Sequence, residues 1–171
     1  MKQIHDGVIG LAAGDALGVP AEFKSRAEIA DDPVVSMRGY GTHSQPAGTW
    51  SDDTSMTLAL LDSIEESEIS SYDRLRRLDG FMKLPEKDIS SSGYVVHTLE
   101  AALWCLLNTD TYEQCVLKAV NLGDDTDTVG AVAGGLAGIY YGARGIPEAW
   151  LDVVARRGYI MELCERAQGK M

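Results

Sequence analysis

The most chemically suggestive segment is residues 121–135, NLGDDTDTVGAVAGG, where carboxylates and hydroxyls meet a run of small residues. Asp124, Asp125 and Asp127 fall within four positions. Two unit charges ~4 Å apart repel by about 4 kcal/mol at an effective dielectric of about 20, so an empty, buried trio would be costly. A hard divalent cation removes that cost, and all-oxygen donors suit Mg²⁺, Mn²⁺ or Ca²⁺ rather than zinc. Taken alone, the segment is equally consistent with an Asp-rich helix cap.

A second cluster of the same chemistry lies far upstream, in GTWSDDTSMTLALL at residues 48–61. Here Ser51, Asp52, Asp53 and Thr54 precede an apolar helical run, just as the downstream acids do. Side chains at the start of a helix project from its N-terminal end, where backbone N–H groups are free. Two such helix starts facing each other would form two half-sites that together hold two metal ions.

Apolar residues recur at helical spacing along most of the chain. This pattern predicts helices over 3–18, near 26–31, over about 53–66, 72–83, 94–107 and 111–121, along the small-residue run after the acidic cluster, from 146–148 to about 156, and over 159–167. A long loop within 24–50 leads to the first Asp pair. No stretch alternates apolar and polar residues for long enough to predict a strand, so the predicted fold is all-α.

Length and composition set limits on the fold and its partners. With 171 residues, the chain fits a single domain spanning 1–171, and a 45% hydrophobic, 7% aromatic composition with 18 glycines predicts closely packed helices. The net charge of −11 argues against a nucleic-acid interface built from basic residues.

Cysteine usage and hydropathy suggest a compartment. Cys105, Cys115 and Cys164 lack CxxC spacing and lie among apolar residues, which is typical of buried free thiols in a reducing environment. Asp15 interrupts the apolar N-terminal stretch, and no run approaches the ~18 apolar residues of a membrane span. We therefore expect a cytoplasmic protein without membrane association.

Three isolated polar residues have competing interpretations. Asp15 lies on an apolar helix face and needs a partner if it is buried, either as a cap for backbone N–H groups or as part of a site. Glu22 follows the turn at Pro20 and by itself would be a surface charge. His97 lies on the 94–107 helix without a second His or Cys at i+3 or i+4, so it is better explained as a core or lining residue than as a metal ligand.

Four stretches, in order, resemble conserved segments of the ADP-ribosylglycohydrolase family, which includes the dinitrogenase reductase-activating glycohydrolases: GLAAGDALGVPAEF, GTWSDDTSMTLAL, SSGYVVHTLEAALW and NLGDDTDTVGAVAGGLAGIYYG. The resemblance implies a compact all-α fold. It also implies a centre of two divalent cations, usually Mg²⁺ or Mn²⁺, that cleaves the glycosidic bond between C1″ of an ADP-ribosyl group and its acceptor.

The resemblance also assigns roles to individual residues. It implies a metal-ligand set composed of Ser51, Asp52, Asp53, Asp125, Asp127 and Thr128. Glu22, Asp52 and Asp53 are the candidate catalytic carboxylates, and which of them is the base stays open. Gly93 and Tyr94 match a segment that lines the family's substrate pocket, and we also expect Asp15 and His97 to contribute to substrate binding; His97 stands where an acidic residue is common in the family.

The chain departs from the family pattern in its middle. Typical members carry additional residues between the MTLALLDSI and SSGYVV segments that help to hold the substrate. Their absence would uncover apolar surface on the 94–107 helix, which favours self-association as a homo-oligomer. The expected partner is an ADP-ribosylated protein side chain or small molecule. A catalytically inactive module that binds ADP-ribose or a nucleotide, and a hydrolase of another small N-glycoside, remain as alternatives.

Overall fold

The computed structural model describes residues 3–63 and 81–168. Its α-helices are α1 (Gln3–Gly18), α2 (Arg26–Asp31), α3 (Asp52–Ser63), α4 (Val95–Leu107), α5 (Tyr112–Val120), α6 (Thr126–Tyr141), α7 (Glu148–Leu151) and α8 (Arg157–Gln168). Short 3-10 turns occur at Val19–Ala21, Phe81–Lys83, Glu86–Asp88 and Ala143–Gly145. The described residues contain no strand, which confirms the all-α prediction. Most of the helix predicted over 72–83 falls outside the described residues, and its last three positions form a 3-10 turn.

The centre of the fold is the antiparallel packing of α1 against α6, where glycines face each other across the interface. A Cβ added at Gly14 would lie 2.1 Å from the Gly130 carbonyl oxygen, and one added at Gly134 would lie 2.3 Å from the Gly10 carbonyl oxygen. The two backbones are therefore in direct contact and only glycine fits between them. This contact places the C-terminal end of α1 beside the N-terminal end of α6, and the Thr126 hydroxyl donates to the Gly18 carbonyl there (3.0 Å).

The remaining helices surround this pair. Helices α4 and α5 pack on α6, and α8 packs on α1 and α3. Tyr112 of α5 is fully buried, and its hydroxyl donates to the Gly10 carbonyl of α1 (2.6 Å). The three cysteines are buried and unpaired, as expected from their apolar surroundings. The buried hydrophobic core consists mostly of alanine and aliphatic residues, with two tryptophans, one tyrosine and the three cysteines.

The prediction of one helix from 146–148 to about 156 is wrong. Helix α7 ends at Leu151, and the chain then turns through Arg156, whose φ is +53°, before α8 begins. The cause is a tertiary contact: the Ala155 N–H donates to the Gly48 carbonyl (2.7 Å), and the Trp50 indole donates to the Ala155 carbonyl (2.7 Å). These bonds use backbone groups that a continued helix would need for itself.

Two expectations from the sequence concern membrane spans and self-association. None of the helices within 3–63 and 81–168 combines the length and hydrophobicity that crossing a membrane requires. On α4, Ala101, Ala102, Trp104 and Cys105 are buried, whereas Val95 is 72% exposed. Self-association through uncovered α4 surface stays a prediction.

Candidate active site

A cavity of about 520 Å³ opens where the end of α1 and the starts of α3 and α6 meet the loop that precedes α4. Its wall is strongly acidic and is formed by Glu22, Phe23, Asp52, Asp53, Ser92, Gly93, Asp124, Asp125, Asp127 and Thr128. Both hydroxyl and carboxylate motifs of the sequence therefore open into one space, although they are more than 60 residues apart along the chain. Four of the residues predicted from the sequence do not line the cavity but lie next to residues that do: Asp15, Ser51, Tyr94 and His97.

The start of α3 is capped by a carboxylate from α1. Asp15 is fully buried, and it accepts hydrogen bonds from the Ser51 N–H (2.9 and 3.0 Å), the Thr54 N–H (3.0 Å) and the Thr54 hydroxyl (2.5 Å). Asp15 thus has the contacts of a backbone-capping residue, one of the two roles the sequence left open. Because Asp15 satisfies these donors, the carboxylates of Asp52 and Asp53 remain available to the cavity.

The start of α6 is organised differently. Asp125 is the N-cap residue, yet its side chain accepts no hydrogen bond from the helix. Asp127 accepts from the Thr128 N–H (2.9 Å), and the Thr128 hydroxyl donates to Asp53 (3.3 Å). This last bond joins the starts of α6 and α3 directly across the cavity.

The carboxylates form two groups that share one member. Asp15, Asp53 and Asp127 each offer an oxygen within 4.8 Å of the others, and Glu22, Asp125 and Asp127 do the same. The donors are all oxygens, which is the set that Mg²⁺, Mn²⁺ and Ca²⁺ prefer. The residues present therefore fit hard divalent cations, and Asp127 is common to both groups. Asp52 is exposed on the cavity wall and belongs to neither group.

Burial and mutual repulsion raise the pKa values of these acids. The pKa of Asp53 is raised, first by burial and then by the charges of Asp15 and Asp52. Burial also raises the pKa of Asp127, which is only 4% exposed, and its contact with Asp125 and the charge of Glu22 raise it further. Without a counter-charge, the fold thus makes ionisation of both carboxyl groups less favourable than in a free aspartate. A bound cation would reverse that preference.

The loop before α4 closes one side of the cavity. Gly93 lies against Asp125 so closely that an added Cβ would be 2.7 Å from the carboxylate oxygen, and the Asp125 N–H donates to the Ser91 carbonyl (3.2 Å). Behind this loop, His97 Nδ1 makes a hydrogen bond with the Ser92 hydroxyl (2.8 Å). Tyr94 is 57% exposed, with its ring edge-on to His97 at 5.2 Å. Gly93 thus faces the cavity, whereas His97 reaches it only through Ser92.

Sequence reasoning missed Phe23, Ser92 and the side-chain partner of Glu22, His43. Phe23 and Asp124 both have positive φ values, +66° and +60°, and they pair through the Phe23 N–H and the Asp124 carbonyl (2.9 Å). Such a conformation is strained for a bulky residue and is found mainly where the surrounding structure enforces it. Phe23 is adjacent to Glu22 and Ser92 to Gly93, so nearness to a motif was the only available signal. His43 is 21 residues from Glu22 in the sequence, so no local pattern indicated that the two side chains are in contact.

Comparisons with known proteins agree with this geometry. An ADP-ribosylarginine hydrolase, Tri1, of Serratia proteamaculans is 48% identical over 79 residues, a match covering 46% of this chain and 22% of that protein. The ADP-ribosyl-[dinitrogen reductase] glycohydrolase of Rhodospirillum rubrum is 48% identical over 62 residues, covering 36% of this chain and 21% of that protein. The matched segments therefore span only about a fifth of these curated relatives.

A solved structure described as an ADP-ribosylglycohydrolase-related protein complex matches the fold with a TM-score of 0.76. The match covers 97% of this chain and 96% of the solved chain. Because the two sequences are only 23% identical, the match shows similarity of fold alone. The family model for ADP-ribosylglycohydrolase matches residues 1–83 and, in a second segment, 65–171. With both matched segments spanning the acidic motifs that line the cavity, the chain belongs to the ADP-ribosylglycohydrolase family.

Proposed function

We propose that this protein is a divalent-cation-dependent hydrolase that cleaves the glycosidic bond between ADP-ribose and an acceptor. The observation that carries the proposal is the convergence of Glu22, Asp53, Asp125 and Asp127, from three separate chain segments, on one cavity. Curated relatives are named for removing ADP-ribose from arginine or from dinitrogen reductase. Removal of an ADP-ribosyl group is the reaction class that these names support for this chain.

The residues that would hold the cations come from both helix starts. Asp53 and Ser51 stand at the start of α3, and Asp125, Asp127 and Thr128 at the start of α6. Asp52, exposed on the wall, completes the set proposed from the sequence. A pair of Mg²⁺ or Mn²⁺ ions bound there supplies Lewis-acid chemistry and offsets the acidic repulsion toward a pyrophosphate-bearing substrate.

The carboxylates themselves suit glycosidic cleavage. The reaction passes through an oxocarbenium-like transition state, whose positive charge is stabilised by nearby carboxylates. We assign the activation of water to Glu22, because it lies on the wall with its side chain only 16% exposed and faces Asp125 and Asp127. Gly93 keeps the space beside Asp125 open for the substrate, since any side chain there would meet the carboxylate.

The test is release of ADP-ribose from a protein ADP-ribosylated on arginine, with Mn²⁺ or Mg²⁺ and with a chelator. We expect turnover that depends on the cation. Asp127→Asn and Asp53→Asn should each lower it by about 100-fold or more, on the scale of a lost transition-state stabiliser. Asp110→Asn is the matched control, because this exposed residue precedes α5, near the end of α6 that lies farthest from the cavity.

Full turnover by Asp127→Asn would refute the assignment, provided that thermal unfolding shows the variant to be folded.

Calorimetry and substrate tests distinguish the proposed hydrolase from a binding module and from a hydrolase of another N-glycoside. Tight ADP-ribose binding by a wild-type protein that hydrolyses no ADP-ribosylated acceptor would identify a binding module instead. Cation-dependent hydrolysis of another N-glycoside, without turnover of ADP-ribosyl substrates, would retain the metal site and change the substrate.

A further inference from the structure

The Glu22 side chain is oriented toward the acidic cavity from a short turn. It follows the 3-10 turn Val19–Ala21, and its long side chain places an oxygen within 4.8 Å of oxygens of Asp125 and Asp127. A side chain of this length has several rotamers, and fixing one of them costs conformational entropy. A contact from outside the cavity can hold the carboxylate in this orientation.

That contact is His43. Its Nε2 makes a hydrogen bond with the Glu22 carboxylate. Because an ionised carboxylate can only accept, Nε2 is the nitrogen that carries the hydrogen in this pair. The His43 side chain is 41% exposed and lies outside the cavity wall, where it contacts the wall residues Glu22 and Phe23.

The turn that carries His43 is fixed against the Glu22 segment by its backbone. The Thr42 N–H donates to the Pro20 carbonyl (3.1 Å), and the Thr42 hydroxyl donates to the Glu22 carbonyl (2.8 Å). At Gly41 the approach is closest: an added Cβ would lie 1.9 Å from the Pro20 carbonyl oxygen. The position of the imidazole relative to Glu22 is thus set by main-chain contacts.

The turn itself is strained and internally bonded. Tyr40 and Ser44 have φ values of +57° and +52°, a region that non-glycine residues rarely occupy. The turn is closed by bonds from the Tyr40 N–H to the Gln45 carbonyl (2.7 Å) and from the Ser44 N–H to the Gly41 carbonyl (3.1 Å). Strain of this kind persists where the surrounding structure enforces one conformation, and it is concentrated at functional sites.

The imidazole has a second side-chain neighbour. The Phe23 ring meets His43 edge-on, with centroids 6.0 Å apart and an interplanar angle of 61°. The Phe23 backbone is anchored by the bond from its N–H to the Asp124 carbonyl (2.9 Å), whereas its side chain is 73% exposed. The imidazole therefore contacts both an aromatic ring and the carboxylate.

We propose that His43 is a positioning residue that holds the Glu22 carboxylate toward the cavity through Nε2–H. The inference rests on the proposed function, because it assumes that Glu22 acts on the substrate. It assigns a role to the loop before α3, since His43 contacts Glu22 from outside the wall.

The test combines His43→Ala, His43→Gln and Glu22→Gln, alone and together, with kcat and KM measured for each. Partners that orient a reacting or ligating group typically contribute 10–100-fold to activity, so we expect His43→Ala to lower kcat by roughly 10-fold or more with little change in KM. His43→Gln retains an N–H donor and should recover part of that loss.

The double variant tests whether His43 acts through Glu22. When Glu22→Gln is already present, adding His43→Ala should lower kcat by no more than about 2-fold further, because the carboxylate that His43 positions is already lost. Gln45→Ala is the control on the same turn, where only the backbone carbonyl is used.

Three outcomes would overturn the inference: kcat unchanged in His43→Ala, no recovery by His43→Gln, or a full additional loss in the double variant. Nitrogen NMR of the imidazole adds a readout independent of turnover. The Nε2 signal should report a bound hydrogen and should shift in Glu22→Gln, and an unchanged signal would contradict the contact. Absence of turnover in the wild type overturns the proposed function itself, whereas wild-type turnover that is insensitive to His43 overturns only this inference.

Discussion

Helix α6 packs its middle against α1 through glycine on both sides, whereas its first turn faces a cavity lined by carboxylates. In the middle, the Gly130 and Gly134 carbonyls contact the backbone of α1 without any intervening side chain. In the first turn, Asp125 leaves the helix without a side-chain cap, and burial raises the pKa of Asp127. The middle of α6 stabilises the fold, whereas the acidic first turn of α6 lowers the stability of the fold unless a cation is bound. The difference indicates that rigid packing in the same helix offsets the unfavourable electrostatics of the candidate site.

The largest effect should come from filling the packed middle of α6. Gly134→Ala would place a Cβ 2.3 Å from the Gly10 carbonyl oxygen and 3.2 Å from the Gly14 Cα. Backbone atoms cannot move aside as a flexible side chain can, so we expect the free energy of unfolding to fall by about 3 kcal/mol. Urea unfolding in the presence of chelator measures this change.

The neighbouring residue provides the control. At Gly135 an added Cβ meets nothing closer than the Leu11 Cβ, at 3.7 Å, which is ordinary van der Waals contact. Alanine is favoured over glycine within a helix by about 1 kcal/mol, so Gly135→Ala should leave stability unchanged or raise it. Equal destabilisation by the two substitutions would show that close α1–α6 contact is not what limits this interface.

A second prediction contrasts the two helix starts. Asp15→Ala removes the acceptor for two backbone N–H groups and the buried Thr54 hydroxyl at the start of α3. Leaving buried donors unpaired should lower the free energy of unfolding by about 2 kcal/mol. Asp15→Asn retains one acceptor oxygen and should lose less. If both variants unfold like the wild type in urea, Asp15 does not stabilise the start of α3.

Neutralising the start of α6 should have the opposite sign. Asn in place of Asp127 can still accept from the Thr128 N–H (2.9 Å) but carries no charge among its acidic neighbours. In chelator we therefore expect Asp127→Asn to raise the free energy of unfolding by about 1 kcal/mol, although turnover is lost. A fall in the melting temperature of the metal-free variant would contradict this account of the acidic cavity.

The smallest effect should be stabilisation by Mn²⁺, and it should depend on pH. The pKa values of Asp53 and Asp127 are raised above 3.8 in the folded protein, so the folded state binds more protons than the unfolded state. Metal-free stability should therefore decrease as pH rises from about 4 through the raised folded-state pKa values. Protons compete with cations for the same oxygens, so stabilisation by Mn²⁺ should grow over that range, by about 1 kcal/mol or less at modest excess.

Thermal unfolding with and without Mn²⁺, measured at several pH values, tests this prediction. Asp127→Asn should flatten the pH dependence, because it removes a titrating group shared by both carboxylate groups. An Mn²⁺ effect in the wild type that is constant with pH would show that these acids do not bind the ion.

The sequence predicted where the helices near the site begin, but it did not predict the contacts between segments that are distant in the chain. The helix starts at Asp52 and Thr126 lie within the acidic motifs, as predicted, because polar caps and apolar periodicity are local signals. The end of α7 could not be predicted, since bonds from the distant residues Gly48 and Trp50 interrupt the helix. The bond between His43 and Glu22 likewise depends on a loop folding back over 21 residues.

By itself the sequence determined the all-helical fold, the family, and the two acidic motifs, because helical periodicity and the types of donor atom are properties of local segments. The tertiary structure alone decided that Asp15 caps α3, that Asp127 belongs to both carboxylate groups, and that His43 is hydrogen-bonded to Glu22. The physical reason is that these contacts join segments far apart in the sequence: the register of α1 against α6 places Asp15 near Asp127, and the packing of Gly41 on Pro20 places His43 beside Glu22.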